Sequence, residues 1–380
     1  MKKKLLCLLL AAALCLGLAA CGEKEPAFSA GEVQEGLCYT TTGISPDATI
    51  LTVGGSPVRA DVYLYWLLYS ASNVESYMTS YMGQEFDWDA ELTDTETVEE
   101  YVHADALAAV KYFAALDRLA SENGVALGEE GKQALADLRE ANIESTGSEE
   151  EYLKELDLMC LTEAGWDEIC RVQYLYQKLI EQAADADSGS KFYADEETLA
   201  DYAEGLGYVT ADHILLLTMD MNTYTAYDED TIAAQKAQAE SLLEQLKSYD
   251  GDDLTAYFTE LADEYGEDPG RTLNPTGYTF GTGEMVQEFE TAALALEPGQ
   301  ISDIVEVSYG YHIILRKPLD RAAAAEAVRS GYIESSISEE VLALSDAAEV
   351  SLSPEAEALD VRSFYEAMKA AQQEHNSVSE

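Results

Sequence analysis

The sequence predicts an α+β chain: a mostly helical body into which a small antiparallel sheet, covered by helices, is inserted. Three observations carry that expectation. From Arg59 to about residue 183, apolar residues recur at i, i+3, i+4 and i+7, beginning with Val62, Tyr65, Trp66 and Tyr69, which is the period of a helix with one buried face. Two short apolar runs, "ADHILLL" (211–217) and "SYGYHIILRKP" (308–318), are bounded by turn residues and read as buried strands. Three helical stretches and a Gly/Pro-rich loop separate the two runs, and a helical pattern returns after the second.

In chain order, residues 22–48 are small and polar and read as a tether. "TILTVGGSPV" (49–58) reads as a short strand and turn, followed by a helix from Arg59. A second helix is expected over 95–123, with Val98, Val102, Ala109, Tyr112, Leu116 and Leu119 on its face and Asn123-Gly124 as its stop. Helices at 129–143 and 149–159 lead to "LTEAGWDEICRVQYLYQKL" (161–179), where Thr162 is the expected N-cap. "ADADSGSK" (184–191) reads as a hinge. A short helix near 194–204 precedes the 209–217 strand. Helices at 229–248 and 252–265, a loop at 266–283, a helix at 284–296 and strands at 304–307 and 311–316 follow. So few apolar strands need helices over the sheet. A helix at 321–345, an extended "AEVSLSP" and an amphipathic "VRSFYEAMKAA" make a tail too small for its own core. It is expected to dock on the N-terminal helices, and "QQEHNSVSE" to fray.

Composition excludes several roles. There are 73 Asp and Glu against 22 Lys and Arg, a net charge of −51, which repels nucleic acid and anionic lipid. Either this surface only solvates the chain, or it also attracts cationic chains. No Gly-rich stretch matches a P-loop or dinucleotide fingerprint, so no nucleotide partner is expected. Lys2 to Lys4 form a basic start, and Leu5 to Leu16 an apolar run too short to span a bilayer. Leu18-Ala19-Ala20-Cys21 resembles a bacterial lipobox. That resemblance implies cleavage before Cys21, a diacylglyceryl group on its thiol, and stable anchoring at the outer face of the cell membrane. A plain secretory leader is the alternative. Of the other cysteines, Cys7 and Cys15 leave with the leader, and Cys38, Cys160 and Cys170 remain. Whether Cys160 and Cys170 pair in an oxidising exterior or stay buried thiols is open at this point. No C-x-x-C exists, so neither a zinc site nor a thioredoxin-like site is expected.

Three motifs in order carry a family resemblance: "VTADHILLLT" (209–218), "GYTFGTGEMVQEFETAALALEPGQIS" (277–302) and "YGYHII" (309–314). Residues 208–318 resemble a parvulin-type (PpiC, rotamase) peptidyl-prolyl isomerase domain. The layout around it resembles the PrsA-type extracellular foldases, and 161–179 is similar to the helical chaperone regions of SurA-like proteins. The expected domains are therefore a leader (1–20), lipidated Cys21 with a tether (21–48), a helical chaperone domain (49–190), the isomerase domain (208–318) and the docking tail (319–380). The resemblance implies a membrane-anchored extracytoplasmic foldase that isomerises X-Pro bonds in secreted proteins and chaperones them without ATP. Its partners would be unfolded or nascent proline-containing chains; a homodimer stays open. One rival is a holdase whose isomerase domain only docks extended chains. Another is a solute-binding lipoprotein of two α/β lobes.

An X-Pro bond isomerises over a barrier of roughly 20 kcal/mol because the amide loses resonance as it twists. No bond breaks, so no nucleophile, metal or cofactor is called for. An apolar grip on the pyrrolidine ring and a dry polar floor suffice. Met285 and Phe289, read at i and i+4 of one helix, are either core or grip. The resemblance implies the proline pocket for both, with Phe280 at the aromatic position before that helix. His213 and His312 are open as core residues, metal ligands or catalysts. The resemblance maps them onto the family's paired central histidines, and two histidines without a third ligand make a poor zinc site. It also maps Asp268, in "YGEDPGR", onto the family's Cys-or-Asp position in the histidine network. One departure stands out: Asn274-Pro-Thr-Gly-Tyr278 replaces Gly-Gly-Asp-Leu-Gly, which puts Gly277 or Tyr278 at an apolar pocket position. The 218–230 loop carries no Lys or Arg, so phosphate-selective recognition is not expected.

Overall fold

The computed structural model describes residues 28–93 and 95–379. The expected leader and the lipidated Cys21 lie outside the described residues. The fold is α+β and divides into two compact units, Met1–Gln182 with Ile337–Glu380, and Ala183–Ser336. The second division falls inside one continuous helix, Arg321–Asp346. Residues 319–336, assigned above to the tail, therefore belong with the second unit.

In the first unit, Thr49–Val53 is the middle strand of an antiparallel sheet, between Ser56–Arg59 and Val350–Leu352. The returning tail thus adds a strand as well as helices, with Leu51 opposite Leu352 and Val53 opposite Val350. Helix Ala60–Ser76 buries Val62, Leu64, Leu67, Leu68, Ala71 and Val74. Helix Val98–Glu122 opens with a capping box: Thr97 accepts the Glu100 N–H, and the Glu100 carboxylate accepts the Thr97 N–H at 2.9 Å. Its buried ridge runs Val98, Val102, Ala106, Val110, four residues per step. Ala109 and Tyr112, expected on that face, lie off the ridge and are half-buried.

A buried carboxylate fixes the start of two helices. Arg59 donates to both oxygens of Asp61 at 2.9 Å, and the Thr162 N–H donates to Asp61 at 3.2 Å. The Thr162 hydroxyl accepts the Gly165 N–H at 3.1 Å and caps helix Glu163–Ala184. Gly165 leaves room for this arrangement, since a Cβ there would lie 2.5 Å from Asp61 Oδ2.

Two expectations fail here. Residues 28–48 are not an open tether: Gly36–Thr42 is a helix, Cys38 and Ile44 are buried, and the Leu37 N–H donates to Asp157 at 2.7 Å. Three apolar anchors among small polar residues were too sparse to show a period. Nor does the C-terminus fray after residue 371, since Val361–Ser379 is a single helix. Its Val361, Phe364, Tyr365 and Met368 enter the same core as Leu51 and Leu64. Cys38, Cys160 and Cys170 are buried free thiols. Burial and the neighbouring Cys38 thiol push the Cys160 thiol up, so the neighbour of Cys160 is Cys38. Among the described residues no helix is long and apolar enough to cross a membrane.

The second unit is built on a four-stranded antiparallel sheet. Val209–Leu217 and Gly310–Lys317 pair at its centre, Tyr278–Phe280 flanks the former and Val305–Val307 the latter. The Tyr278–Phe280 strand falls in the segment expected to be loop; three residues are too few to display an alternation. Every residue of Val209–Leu217 is buried because helices cover both faces. Ile214, Leu216, Tyr311, Ile313 and Leu315 meet helices Glu229–Ser248 and Leu254–Tyr265 through Leu242, Leu246, Phe258 and Leu261. Val209, Ala211 and Ile314 meet helix Gln287–Leu294 through Phe289 and Ala293. Side chains alternate along a strand, so His213 and His312 share the face toward Phe289.

The fully buried Phe364 gives a direct test of the tail. Phe364→Ala is expected to destabilise the first unit by about 3–5 kcal/mol, read as a lower urea midpoint for that unit's transition. A loss below about 1 kcal/mol would show that the terminal helix does not carry the core.

Candidate active site

The register of the central strand pair brings the two histidines together. His213 lies opposite Ile314 and Leu215 opposite His312, so the histidines are diagonal neighbours on one face. Their ring centroids are 5.0 Å apart at 72°. Phe289 stands edge-on to both, at 5.4 Å from His213 and 5.3 Å from His312. Tyr278 lies flat on His213, 5.5 Å away and 7° from parallel, and Tyr309 meets His312 at 5.6 Å. Both histidines are buried, His312 at 2 % exposure.

Asp268 completes the group. Its Oδ2 accepts the Tyr278 hydroxyl at 2.6 Å and lies 3.5 Å from His213 Nε2, while Oδ1 accepts the Gly270 N–H at 3.0 Å. The histidine contact is at ion-pair range and long for a hydrogen bond. Burial alone would raise the Asp268 pKa, but His213, the Tyr278 hydroxyl and the Gly270 N–H outweigh it and hold the carboxyl well below the usual range. Burial, then the Asp268 hydrogen bond, pushes Tyr278 up to about 12, so its hydroxyl keeps its proton. Burial pushes His312 down to about 3, with His213 adding to the effect and Asp268 opposing it. At neutral pH the site therefore holds an anionic carboxylate and a neutral His312.

The apolar residues divide. Phe289 is buried against both histidines. Met285 is half-buried in the same cluster but precedes the helix, whose N-cap is Val286. The i, i+4 helical pairing read from sequence is thus replaced by a pairing across the helix start. Phe280 is only 1 % exposed and packs on Phe289 at 5.8 Å, so it supports the site from below. Tyr278 packs against the same apolar cluster, its ring covers His213 and its hydroxyl holds Asp268. Gly277 permits this, with φ at 96° and no room for a Cβ, which would lie 2.6 Å from the Ala211 carbonyl oxygen.

Several residues were not singled out by the sequence reading. Tyr309 lies within the quoted motif and covers His312. Ser302, at the end of the second motif, locks the sheet edge: its N–H donates to the Ile314 carbonyl at 2.8 Å, and its hydroxyl accepts the Ile314 N–H at 2.9 Å. Glu267 accepts the Leu217 N–H at 2.6 Å and Gln235 Nε2 at 2.9 Å. In so acidic a chain no sequence signal sets Glu267 apart from its neighbours. Among the described residues no group of three or more His, Cys, Asp or Glu is placed to hold a metal ion.

A buried histidine with a depressed pKa makes stability depend on pH. The unfolded chain binds the His312 proton below about 6.5, and the folded chain only near 3. The resulting stability is fully present above 6.5 and is lost as pH falls from 6.5 toward 3. His312→Phe is expected to flatten the acid side of the second unit's stability profile in that window, measured by urea denaturation at stepped pH. An unchanged slope would mean that other groups carry the acid sensitivity.

Residues 213–317 match the family model described as a PPIC-type PPIase domain, or rotamase. The foldase protein PrsA of Halalkalibacterium halodurans is 41% identical over 126 residues, which is 32% of this chain and 31% of that protein. The foldase protein PrsA of Geobacillus kaustophilus is 52% identical over 59 residues, 15% of this chain and 21% of that protein. A crystal structure of PrsA from Bacillus subtilis aligns over 69% of this chain and 94% of that one, at 20% identity and a TM-score of 0.25. The chain thus spans less than a third of the length of these two curated relatives. Over residues 213–317 the chain carries a parvulin-type domain of the PPIC PPIase family.

Proposed function

We propose that the chain is an extracytoplasmic foldase that catalyses cis–trans isomerisation of X-Pro bonds in exported proteins. It would be tethered through lipid on Cys21 to the outer face of the membrane and work without ATP. The observation that carries this reading is the joint placement of Asp268, Tyr278, His213, His312 and Phe289. In a planar amide, resonance places negative charge on the carbonyl oxygen, and twisting removes it. An anionic Asp268 beside the bound carbonyl disfavours the planar form more than the twisted one. That difference lowers the barrier. Met285 and Phe289 would grip the proline ring, and the two histidines, one of them neutral, would form the floor.

The first unit supplies a surface for holding chains. Tyr69, Asn73, Val74, Tyr77, Leu92 and Tyr101 line an open cleft of about 550 Å³. Tyr69, Tyr77 and Tyr81 are exposed. The tryptophans pack inward: Trp88 lies in the core, and Trp66 and Trp166 pack against it. Tyrosine offers apolar area with a polar edge, which suits chains of varied sequence. This unit is helical around one short three-stranded sheet, unlike the α/β lobe that a solute-binding lipoprotein requires.

Proline-limited refolding of a model protein tests the enzyme reading. The full chain is expected to accelerate the slow phase catalytically, and Asp268→Ala or His213→Ala to lower kcat/KM by about 10- to 100-fold with the fold retained by circular dichroism. A wild-type chain that suppresses aggregation but leaves the slow phase at its uncatalysed rate would establish the holdase instead.

A further inference from the structure

We infer that Asp212 and Arg271, neither of which touches the proposed substrate position, form a clip that positions Asp268 against His213. This rests on the isomerase reading of the site and extends it to residues outside the catalytic group. The starting point is an edge. Tyr278–Phe280 pairs with the central strand only from Val209 to Ala211, so from Asp212 onward that edge of Val209–Leu217 has no strand partner. The other edge pairs continuously with Gly310–Lys317, from Thr210 opposite Lys317 to Leu217 opposite Gly310. Buried backbone groups need partners, and on the open edge the 266–277 segment and two carboxylates supply them. The Asp212 carboxylate accepts the His213 N–H at 2.8 Å. The Glu267 N–H donates to the Leu215 carbonyl at 2.8 Å, and the Glu267 carboxylate accepts the Leu217 N–H at 2.6 Å.

Asp212 Oδ1 also accepts Arg271 Nη1 at 2.8 Å, and Arg271 Nε donates to Asp263 at 2.7 Å. The Arg271 N–H donates to the Asp268 carbonyl at 3.2 Å. The contacts close a circuit: His213 backbone, Asp212 carboxylate, Arg271 guanidinium and backbone, Asp268 backbone, and Asp268 Oδ2 facing His213 Nε2. Asp212 is 1 % exposed, so its charge is tolerable only while Arg271 pairs with it. Arg271 is the one cation of the 266–277 segment, and it ties the segment that carries Asp268 to the residue preceding His213. Glu267 anchors the start of the segment and the clip anchors its middle, fixing the Asp268 carboxylate between them.

A purely structural ion pair and a positioning clip differ in one respect. Removing both charges relieves the buried-charge penalty in either case, but it restores activity only if the pair has no positioning role. Full-length Arg271→Met, Arg271→Lys, Asp212→Asn and the double variant Asp212→Asn/Arg271→Met are compared by thermal unfolding and by kcat/KM on a proline-containing peptide. The expected result is a lower Tm and at least a tenfold lower kcat/KM for Arg271→Met, with Arg271→Lys intermediate in kcat/KM. The double variant is expected to recover most of the Tm while kcat/KM stays at least tenfold down. Recovery of both to within twofold of wild type, or full activity in Arg271→Met, overturns the clip. If Arg271→Met does not fold, the double and lysine variants decide. If wild type itself shows no isomerisation, the isomerase reading has failed, and the ring ¹⁵N signals of His213 decide the clip separately. They are expected to shift in the double variant, and unchanged signals overturn it.

Discussion

The antiparallel pairing of Val209–Leu217 with Gly310–Lys317 is the constraint on which the second unit depends. It buries all nine residues of the first strand, and its register decides which side chains share a face. A one-residue slip would turn the histidines away from Phe289 and toward the helices on the other face. Two features pin the register. Gly310 sits where a Cβ would come within 2.5 Å of the Leu216 carbonyl, and the Ser302 hydroxyl and N–H bracket Ile314. The second motif therefore contributes Ser302 to alignment, as well as Met285 and Phe289 to the apolar wall.

Electrostatics at the site follow from its burial. A histidine as enclosed as His312 loses its proton because the charged form is poorly solvated, whereas the Asp268 carboxylate stays charged against its own burial through the nearby His213 and hydrogen bonds from the Tyr278 hydroxyl and the Gly270 N–H. Tyr278 serves two of these needs, covering the His213 ring and donating to Asp268. The Asn274–Tyr278 loop thus places against the apolar cluster a ring that also carries a hydrogen-bond donor to the carboxylate. With its hydroxyl pKa pushed up to about 12, that donor stays protonated across the neutral range.

Much of this was legible in the residues. The helical periods, the Thr162 cap, the two buried strands and the residues gathered around Phe289 all follow from local pattern or quoted motif. What was not legible has physical reasons. Tyr278–Phe280 is too short to alternate, and its pairing is set by the Ala211 edge rather than by its own composition. Leu37, Cys38 and Ile44 are isolated anchors in a polar stretch, and only the tertiary contact of Leu37 with Asp157 shows that they are packed. Asp212, Arg271 and Glu267 are ordinary charged residues in a chain full of them. Their meaning comes from a strand edge that sequence does not display.

That edge separates the part of the unit held by strand pairing from the part held by a loop. On the paired side, every main-chain group of the central strand finds another strand, so side chains there answer to packing alone. On the open side the backbone is satisfied by a loop, and a loop needs only a few well-placed carboxylates and one cation to do so. Such a loop can change its composition without disturbing the sheet, provided the carboxylate facing His213 is returned to the same place. Gly277 makes the close approach to Ala211 and Tyr278 the contact to His213, and Arg271 pairs with Asp212 on the strand. The two histidines belong to the central strands and Phe289 to the covering helix, whereas the Asp268 carboxylate that faces His213 belongs to the loop.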